Sequence, residues 1–505
     1  MKPITHAAMP IVGMLLVGLP WLNPFASGPS PAIHQYLFAW ASLALAVLLA
    51  AFSGHTLKQD SIVAGGWLAA ALASSVIAVL QFGGLGEAWM PWVNAAQTGE
   101  AFANLRQRNQ FASLTNIGLL ALLWIRPSAD SVRTWQFVIA ISIGAGNACS
   151  SSRTGLLQLL TLFVVCWCFA AWRTPMRQRL VVAAVLGYSL ATLVLPILFG
   201  KGFATFGLLA RFDESAACAS RWVLWRNVIH LIELRPLTGW GWGELDYAHF
   251  VTPYTGIRFC EILDNAHNLP LHLAVELGLP FALTVCGLAI GLVWRSRPWL
   301  EQDPGRQMAW GVLAVILLHS FLEYPLWYGP FQVAVVLCVI LLARTRQAPA
   351  QNLAPISCST GDLRKTNGPF GPRAKFALRT FAFVVIIASA YAGWDYHRIS
   401  QIYRNPADRS PAYRHNTLEK IRSSWLFRDQ VQYAELVVTP VTLENAATMN
   451  ELAHRVMHFS PESKVVEKLI QSARALGRNN EANFFVARYA AAYPEAFHRW
   501  TQLQY

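Results

Sequence analysis

The chain has 505 residues, of which 54% are hydrophobic and only 13% charged, against roughly a quarter charged in ordinary soluble domains. Forty Lys and Arg against 27 Asp and Glu leave a net +13, and 20 Trp, 27 Phe and 14 Tyr suit the boundary where lipid meets water. These figures exclude a disordered chain and a disulfide-stapled mini-domain, and they make membrane orientation a better account of the basic excess than nucleic acid.

A helix crossing about 30 Å of hydrocarbon needs roughly 20 mostly apolar residues. Eleven such stretches occur, near 7–25, 35–53, 61–83, 111–125, 134–151, 154–172, 180–199, 269–294, 308–322, 330–343 and 376–394. The fourth, ninth and tenth are short. The first also has the make-up of a signal peptide, with Lys2 ahead of an apolar core and Ala26-Ser27-Gly28 behind it. With the N-terminus inside, the inward gaps carry Lys58, then Arg126 and Arg133, then Arg173, Arg177 and Arg179, then Arg295, Arg297 and Arg306, and last Arg344, Arg346, Arg364, Lys365, Arg373 and Lys375. The outward gaps 26–34 and 323–329 carry no Lys or Arg, as the positive-inside rule requires. The sequence therefore predicts an all-α polytopic membrane protein, with a membrane domain over 1–394 and everything after Trp394 outside the cytoplasm.

Three outward segments break the charge rule. They are 84–110 with Arg106 and Arg108, the junction at Arg153, and the large loop 200–268 with Lys201, Arg211, Arg221, Arg226, Arg235 and Arg258. A long translocated loop tolerates such charge. Arginines immediately beside spans need a counter-charge, and a lipid headgroup or a phosphorylated substrate supplies one.

Residues 347–374, within the inward gap 344–375, are rich in Pro, Gly, Ser and Asn and read as a cytoplasmic linker. Residues 395–505 change composition, with amphipathic stretches at 450–459 and 481–493, and predict a helical periplasmic domain. Ala473, Gly477, Ala482, Ala487 and Ala490 form one partial copy of a helical-repeat pattern, too little to establish a solenoid. The eight cysteines have no zinc or redox spacing. Cys166, Cys168, Cys286 and Cys338 fall in apolar spans, while Cys218 and Cys260 share the outward loop, where an oxidising compartment would let them pair.

Ionisable residues near membrane depth are costly and tend to be functional. His272 and Glu276 are four residues apart on one helical face, and His319 and Glu323 repeat that spacing. With His267 they could be a metal cluster, or simply two helix-internal pairs. His267 stands in Asp264-Asn265-Ala266-His267-Asn268-Leu269-Pro270, where the outward loop meets a span. An unpaired histidine there suits proton abstraction from a hydroxyl; a structural role is the plain alternative. Arg153 and Arg221, the second opening an apolar segment over 222–234, are placed to bind a pyrophosphate leaving group.

Asn104-Leu105-Arg106-Gln107-Arg108-Asn109, Ser150-Ser151-Ser152-Arg153-Thr154-Gly155, the stretch from Arg221 to Pro236-Leu237-Thr238-Gly239-Trp240-Gly241, the His267-Asn268 loop end, and His319-Ser320-Phe321-Leu322-Glu323-Tyr324-Pro325-Leu326-Trp327-Tyr328 occur in that order. This set resembles the bacterial O-linked oligosaccharyltransferases of the PglL type, which share a superfamily with O-antigen ligases and O-antigen polymerases. The resemblance implies en bloc transfer of a glycan from undecaprenyl pyrophosphate to Ser or Thr of a periplasmic protein, often a pilin, in the bacterial inner membrane with the active site facing the periplasm. It implies no cofactor, metal or nucleotide. By resemblance His267 is the essential loop histidine, Gln107 and Tyr324 (beside Glu323) match further site positions, and Arg153 and Arg221 face the pyrophosphate, with Arg106 and Arg108 as further candidates. Gln110 stands where many relatives would have His. A ligase acting on lipid A core, a polymerase acting on a second lipid-linked repeat, and a transporter of a lipid-linked solute are the competing readings.

Overall fold

The computed structural model describes residues 8–25, 32–52, 59–125, 133–199, 217–344 and 372–502, and among these every regular element is helical. The candidate signal-peptide boundaries, the start of the large loop with Lys201 and Arg211, and nearly all of the inward linker lie outside the described residues. Each apolar stretch read from the sequence is helix: α1 (Ala8–Leu22), α2 (Ala32–Phe52), α3 (Gln59–Phe82), α4 (Arg108–Trp124), α5 (Thr134–Cys149), α6 (Arg153–Cys168) and α7 (Pro175–Leu198). The loop after α7 then forms α8 (Arg221–Leu234) and α9 (Leu245–Val251). It is followed by α10 (Leu269–Leu277), α11 (Leu279–Ser296), α12 (Pro304–Ser320), α13 (Gly329–Arg344) and α14 (Pro372–Ser400).

Among the described residues five helices are long and apolar enough to cross a membrane, at Ala32–Phe52, Gln59–Phe82, Pro175–Leu198, Leu279–Leu300 and Arg373–Tyr403, and Ala8–Leu22, Arg153–Cys168 and Gly329–Ala343 are shorter apolar helices. The expected single span at 269–294 is corrected: Gly278, at φ 85°, splits it into α10 and α11. The split has a local cause. The turn from Pro236 to Gly241 wraps the end of α10, with Trp240 N–H donating to Val275 O (2.9 Å), Gly241 N–H to Glu276 O (2.9 Å) and Leu279 N–H to Pro236 O (2.8 Å). A Cβ at Gly239 would strike the Glu276 carbonyl, and one at Gly278 the Leu237 carbonyl. The close approach thus demands glycine on both strands of the contact.

At the centre lies α4, buried along almost its whole length from Gln110 to Leu123 and packed against α3, α5, α6 and α12. Around it runs one apolar core that includes Trp67, Phe111, Leu114, Ile117, Leu180 and Val312. By contrast α11 exposes Leu283, Leu288, Ile290, Leu292 and Trp294, an apolar face suited to lipid. The loop helices have their own core of Val228, Leu231, Leu245, Ala248, Phe259 and Ala266, joined by Val275 of α10.

Beyond α14 the chain forms α15 (Thr417–Ile421), α16 (Arg428–Val438), α17 (Ala446–Met457), α18 (Ser463–Ala475), α19 (Asn479–Ala492) and α20 (Pro494–Gln502). Both amphipathic stretches expected from sequence fall on α17 and α19. Each helix from α16 to α20 packs against its chain neighbour. This unit rests on the loop: Phe250 of α9 belongs to its core, His458 Nδ1 lies 2.7 Å from Glu244 Oε2, and Arg488 Nε–H donates to Val251 O at 3.2 Å.

Candidate functional site

Four turns bring the quoted motifs to the same end of the helix bundle. Gln107 caps α4 by accepting the Gln110 N–H at 2.9 Å, Ser152 caps α6 by accepting the Gly155 N–H at 2.9 Å, and Ser220 caps α8 by accepting the Val223 N–H. Asn268 caps α10 with Leu271 N–H at 3.1 Å and donates from Nδ2 to Phe321 O at 3.0 Å, tying α10 to the end of α12. The residue after each of the first three caps is an arginine, so Arg108, Arg153 and Arg221 are the first residues of α4, α6 and α8. A cation at the positive end of a helix dipole is unfavourable by itself. It becomes favourable when an anion shares the place.

Glu323, just past α12, is the node. Its Oε2 lies 2.7 Å from His267 Nδ1, its Oε1 takes an ion pair from the Arg221 guanidinium, and Oε1 also accepts the Asn109 Nδ2–H at 3.0 Å. Asn109 in turn accepts the Ser152 hydroxyl at 2.6 Å, which places the start of α6 and Arg153 next to the same network. The Glu323 side chain is 8% exposed, His267 28% and Arg221 41%, so the carboxylate sits at the base and the imidazole and guanidinium open outward. Burial pushes the Glu323 carboxyl up, but the His267 bond and the His267, Arg221 and His319 charges outweigh it and hold the group below the usual carboxylate range.

An ionised carboxylate only accepts hydrogen bonds, so His267 Nδ1 donates to Glu323 and Nε2 is the ring nitrogen left to face a substrate. The backbone reinforces this aim. His267 is in the left-handed region at φ 50°, its N–H held by Asn265 Oδ1 at 2.9 Å, and the Ala266 carbonyl before it accepts the Trp225 indole N–H at 3.1 Å. Arg106 at φ 60° and Ser151 at φ 51° share that uncommon conformation, and strained positions of this kind cluster at functional sites. Tyr324 meets the His267 ring edge-on at 5.0 Å and stacks near Tyr328 at 5.9 Å. Burial, then the neighbouring Tyr328, pushes its hydroxyl far above the ordinary value, so it stays protonated.

Two expectations change. His267 is not unpaired, because Glu323 reaches it across the fold. Of the two helix-internal pairs, His272 Nε2 and Glu276 Oε2 do lie 3.4 Å apart, whereas His319 turns to the Ser113 hydroxyl at 3.0 Å and leaves Glu323 to the site. Among the described residues no three His, Cys, Asp or Glu converge on a metal-sized position. Arg108 forms an ion pair with Glu100, and Arg106 donates to Pro24 O at 3.3 Å at the edge of a separate cavity of about 590 Å³. Cys218 and Cys260 are joined by a disulfide with Cα atoms 5.5 Å apart, directly ahead of α8 and Arg221. Asn109 and Trp225 carry the site but drew no role from sequence; Asn109 was visible only as the last letter of an arginine-flanked motif.

Set beside known proteins, residues 137–286 match the family described as O-Antigen ligase, residues 101–125 the family described as Protein glycosylation ligase, and residues 307–505 the family described as Virulence factor membrane-bound polymerase, C-terminal. A general O-oligosaccharyltransferase of Acinetobacter baylyi is 25% identical over 368 residues, 69% of this chain and 62% of that protein. A ComP-specific O-oligosaccharyltransferase of the same organism is 24% identical over 247 residues, 48% of this chain and 44% of that protein. In both cases the match spans less than two thirds of the relative's own length.

Proposed function

We propose, from the chain's membership of the O-antigen ligase superfamily as a PglL-type oligosaccharyltransferase, that it transfers a preassembled glycan from undecaprenyl pyrophosphate to a Ser or Thr hydroxyl of a periplasmic protein, such as a pilin. The observation that carries the reading is the His267–Glu323–Arg221 cluster, with Arg153 one residue from the Ser152–Asn109 link to the same carboxylate. It unites a base and cations, the two components that glycosyl transfer from a diphosphate requires.

In this mechanism Nε2 of His267 takes the acceptor hydroxyl proton while the oxygen attacks the anomeric carbon. Glu323 fixes the ring and stabilises the imidazolium that forms. The bond to the pyrophosphate breaks with its electron pair on the leaving oxygen, and Arg153 and Arg221, at two helix N-termini, stabilise that charge. Direct displacement of this kind inverts the anomeric centre. Pyrophosphate already leaves readily, so positioning and charge stabilisation supply more of the rate than base strength. Tyr324 packs the imidazole, and Arg106 and Arg108 act further out, on the donor's approach. The active site faces the periplasm of a multi-pass inner-membrane protein with eleven crossings, residues 395–505 forming a periplasmic domain above it.

The branch is tested by offering the purified protein an undecaprenyl-pyrophosphate glycan together with a pilin or with lipid A core. A mass gain on the pilin is expected. A gain on lipid A core alone assigns the chain to the ligases, and movement of the donor with no covalent product assigns it to transport.

A further inference from the structure

Past Tyr324, which borders His267, lies an aromatic surface that the transfer chemistry does not use. Trp242 is 62% exposed, yet its ring is stacked against Trp327 at 6.1 Å with an interplanar angle of 16°. Trp327 meets the His272 ring edge-on at 4.9 Å, and its backbone carbonyl accepts the Tyr36 hydroxyl. The Gly241 N–H donates to the Glu276 backbone carbonyl at 2.9 Å and the Glu244 N–H to Gly241 O at 3.3 Å, which fixes the turn carrying Trp242. An exposed indole with a packed back and a pinned backbone is preorganised to receive a flat partner on its free face.

Two observations and the shape of the donor choose the partner. Trp242 lies two residues before Glu244, whose carboxylate lies 2.7 Å from His458 of the C-terminal helical unit, the unit that the transfer reading places in the periplasm. Arg221 reaches His267 through Glu323, whereas Trp327 reaches it through Tyr324, whose carbonyl accepts the Trp327 N–H at 3.1 Å and whose ring meets the imidazole edge-on. A donor with its diphosphate on the arginines and its anomeric carbon at His267 must send its remaining sugars away from the cations. The apolar C–H face of a pyranose is the complement of a bare indole face.

We infer that Trp242, backed by Trp327, is a stacking subsite for pyranose rings of the donor glycan beyond the sugar whose bond is broken. The inference rests on the transfer reading above and adds a determinant of glycan length. Purified protein would be given polyprenyl-pyrophosphate donors bearing one or three N-acetylhexosamine residues, with one serine-containing acceptor. Wild type favours the trisaccharide donor through a lower KM, and Trp242→Ala shrinks that preference roughly five- to tenfold at little cost in kcat, the scale of one aromatic stack. Trp242→Phe restores most of it. A shift equal for both donors, as a mere membrane anchor would give, or a shift confined to acceptor KM, overturns the inference while leaving transfer intact. A wild type that transfers neither donor overturns the transfer reading and this inference with it.

Discussion

Glu323 holds His267, Arg221 and Asn109 on one carboxylate, and substitution separates what it does for each. Glu323→Gln keeps the size but loses the charge that stabilises imidazolium, so kcat is expected to fall roughly a hundredfold with donor KM changed far less. Glu323→Asp should recover part of the loss. Equal kinetics for Gln and wild type would remove Glu323 from the site. The same group predicts a pH dependence of stability. Its folded pKa is depressed, so the stability it contributes is complete above the ordinary carboxylate range and is lost as pH falls through the lower folded value. Thermal melts of the detergent-solubilised protein should therefore fall less steeply with acid in Glu323→Gln than in wild type. Arg221→Lys tests the planar fork, since an ammonium cannot hold Glu323 and an anion in the same geometry. Turnover within twofold of wild type would contradict the role given to Arg221.

At the scale of elements, three helix starts and one broken span build the site. Ser152→Ala removes the α6 cap and the link to Asn109, and is expected to cost about 1 kcal/mol or more, read as a lower melting temperature together with lower activity. The helices were legible from apolar length alone, and the motif order located the site's turns. Two features were not legible. The break at Gly278 is fixed by a turn more than thirty residues earlier in the chain, which no local pattern near 278 reports. The partner of His267 lies 56 residues away, and the four-residue spacing of His319 and Glu323 pointed to the wrong contact because helix periodicity knows nothing of a neighbouring loop. The disulfide pair was legible because only two cysteines share that loop; its 42-residue closure tethers the segment before α8.

On the scale of the whole molecule, α9 joins the loop core around α8 to the C-terminal helices. Burial there, with the Asp264 and Glu244 carboxylates adding to it, raises Asp246 to about 7. A carboxyl whose folded pKa is raised binds its proton more tightly when folded, so stability falls as pH rises from the ordinary carboxylate range towards 7. Asp246→Asn is expected to stabilise the protein above pH 7 and to flatten that slope; a lower melting temperature at pH 8 would contradict it. Topology is tested by single cysteines at Thr360→Cys and Thr442→Cys in a background free of other reactive thiols. An impermeant maleimide should label 442 and not 360 in intact cells. Most directly, transfer hinges on His267. With a defined lipid-linked donor and an acceptor pilin, the wild type should add the glycan's mass to the acceptor, while His267→Ala, folded and carrying the same disulfide, should add none above background. Acceptor glycosylation by His267→Ala at the wild-type rate would contradict the account.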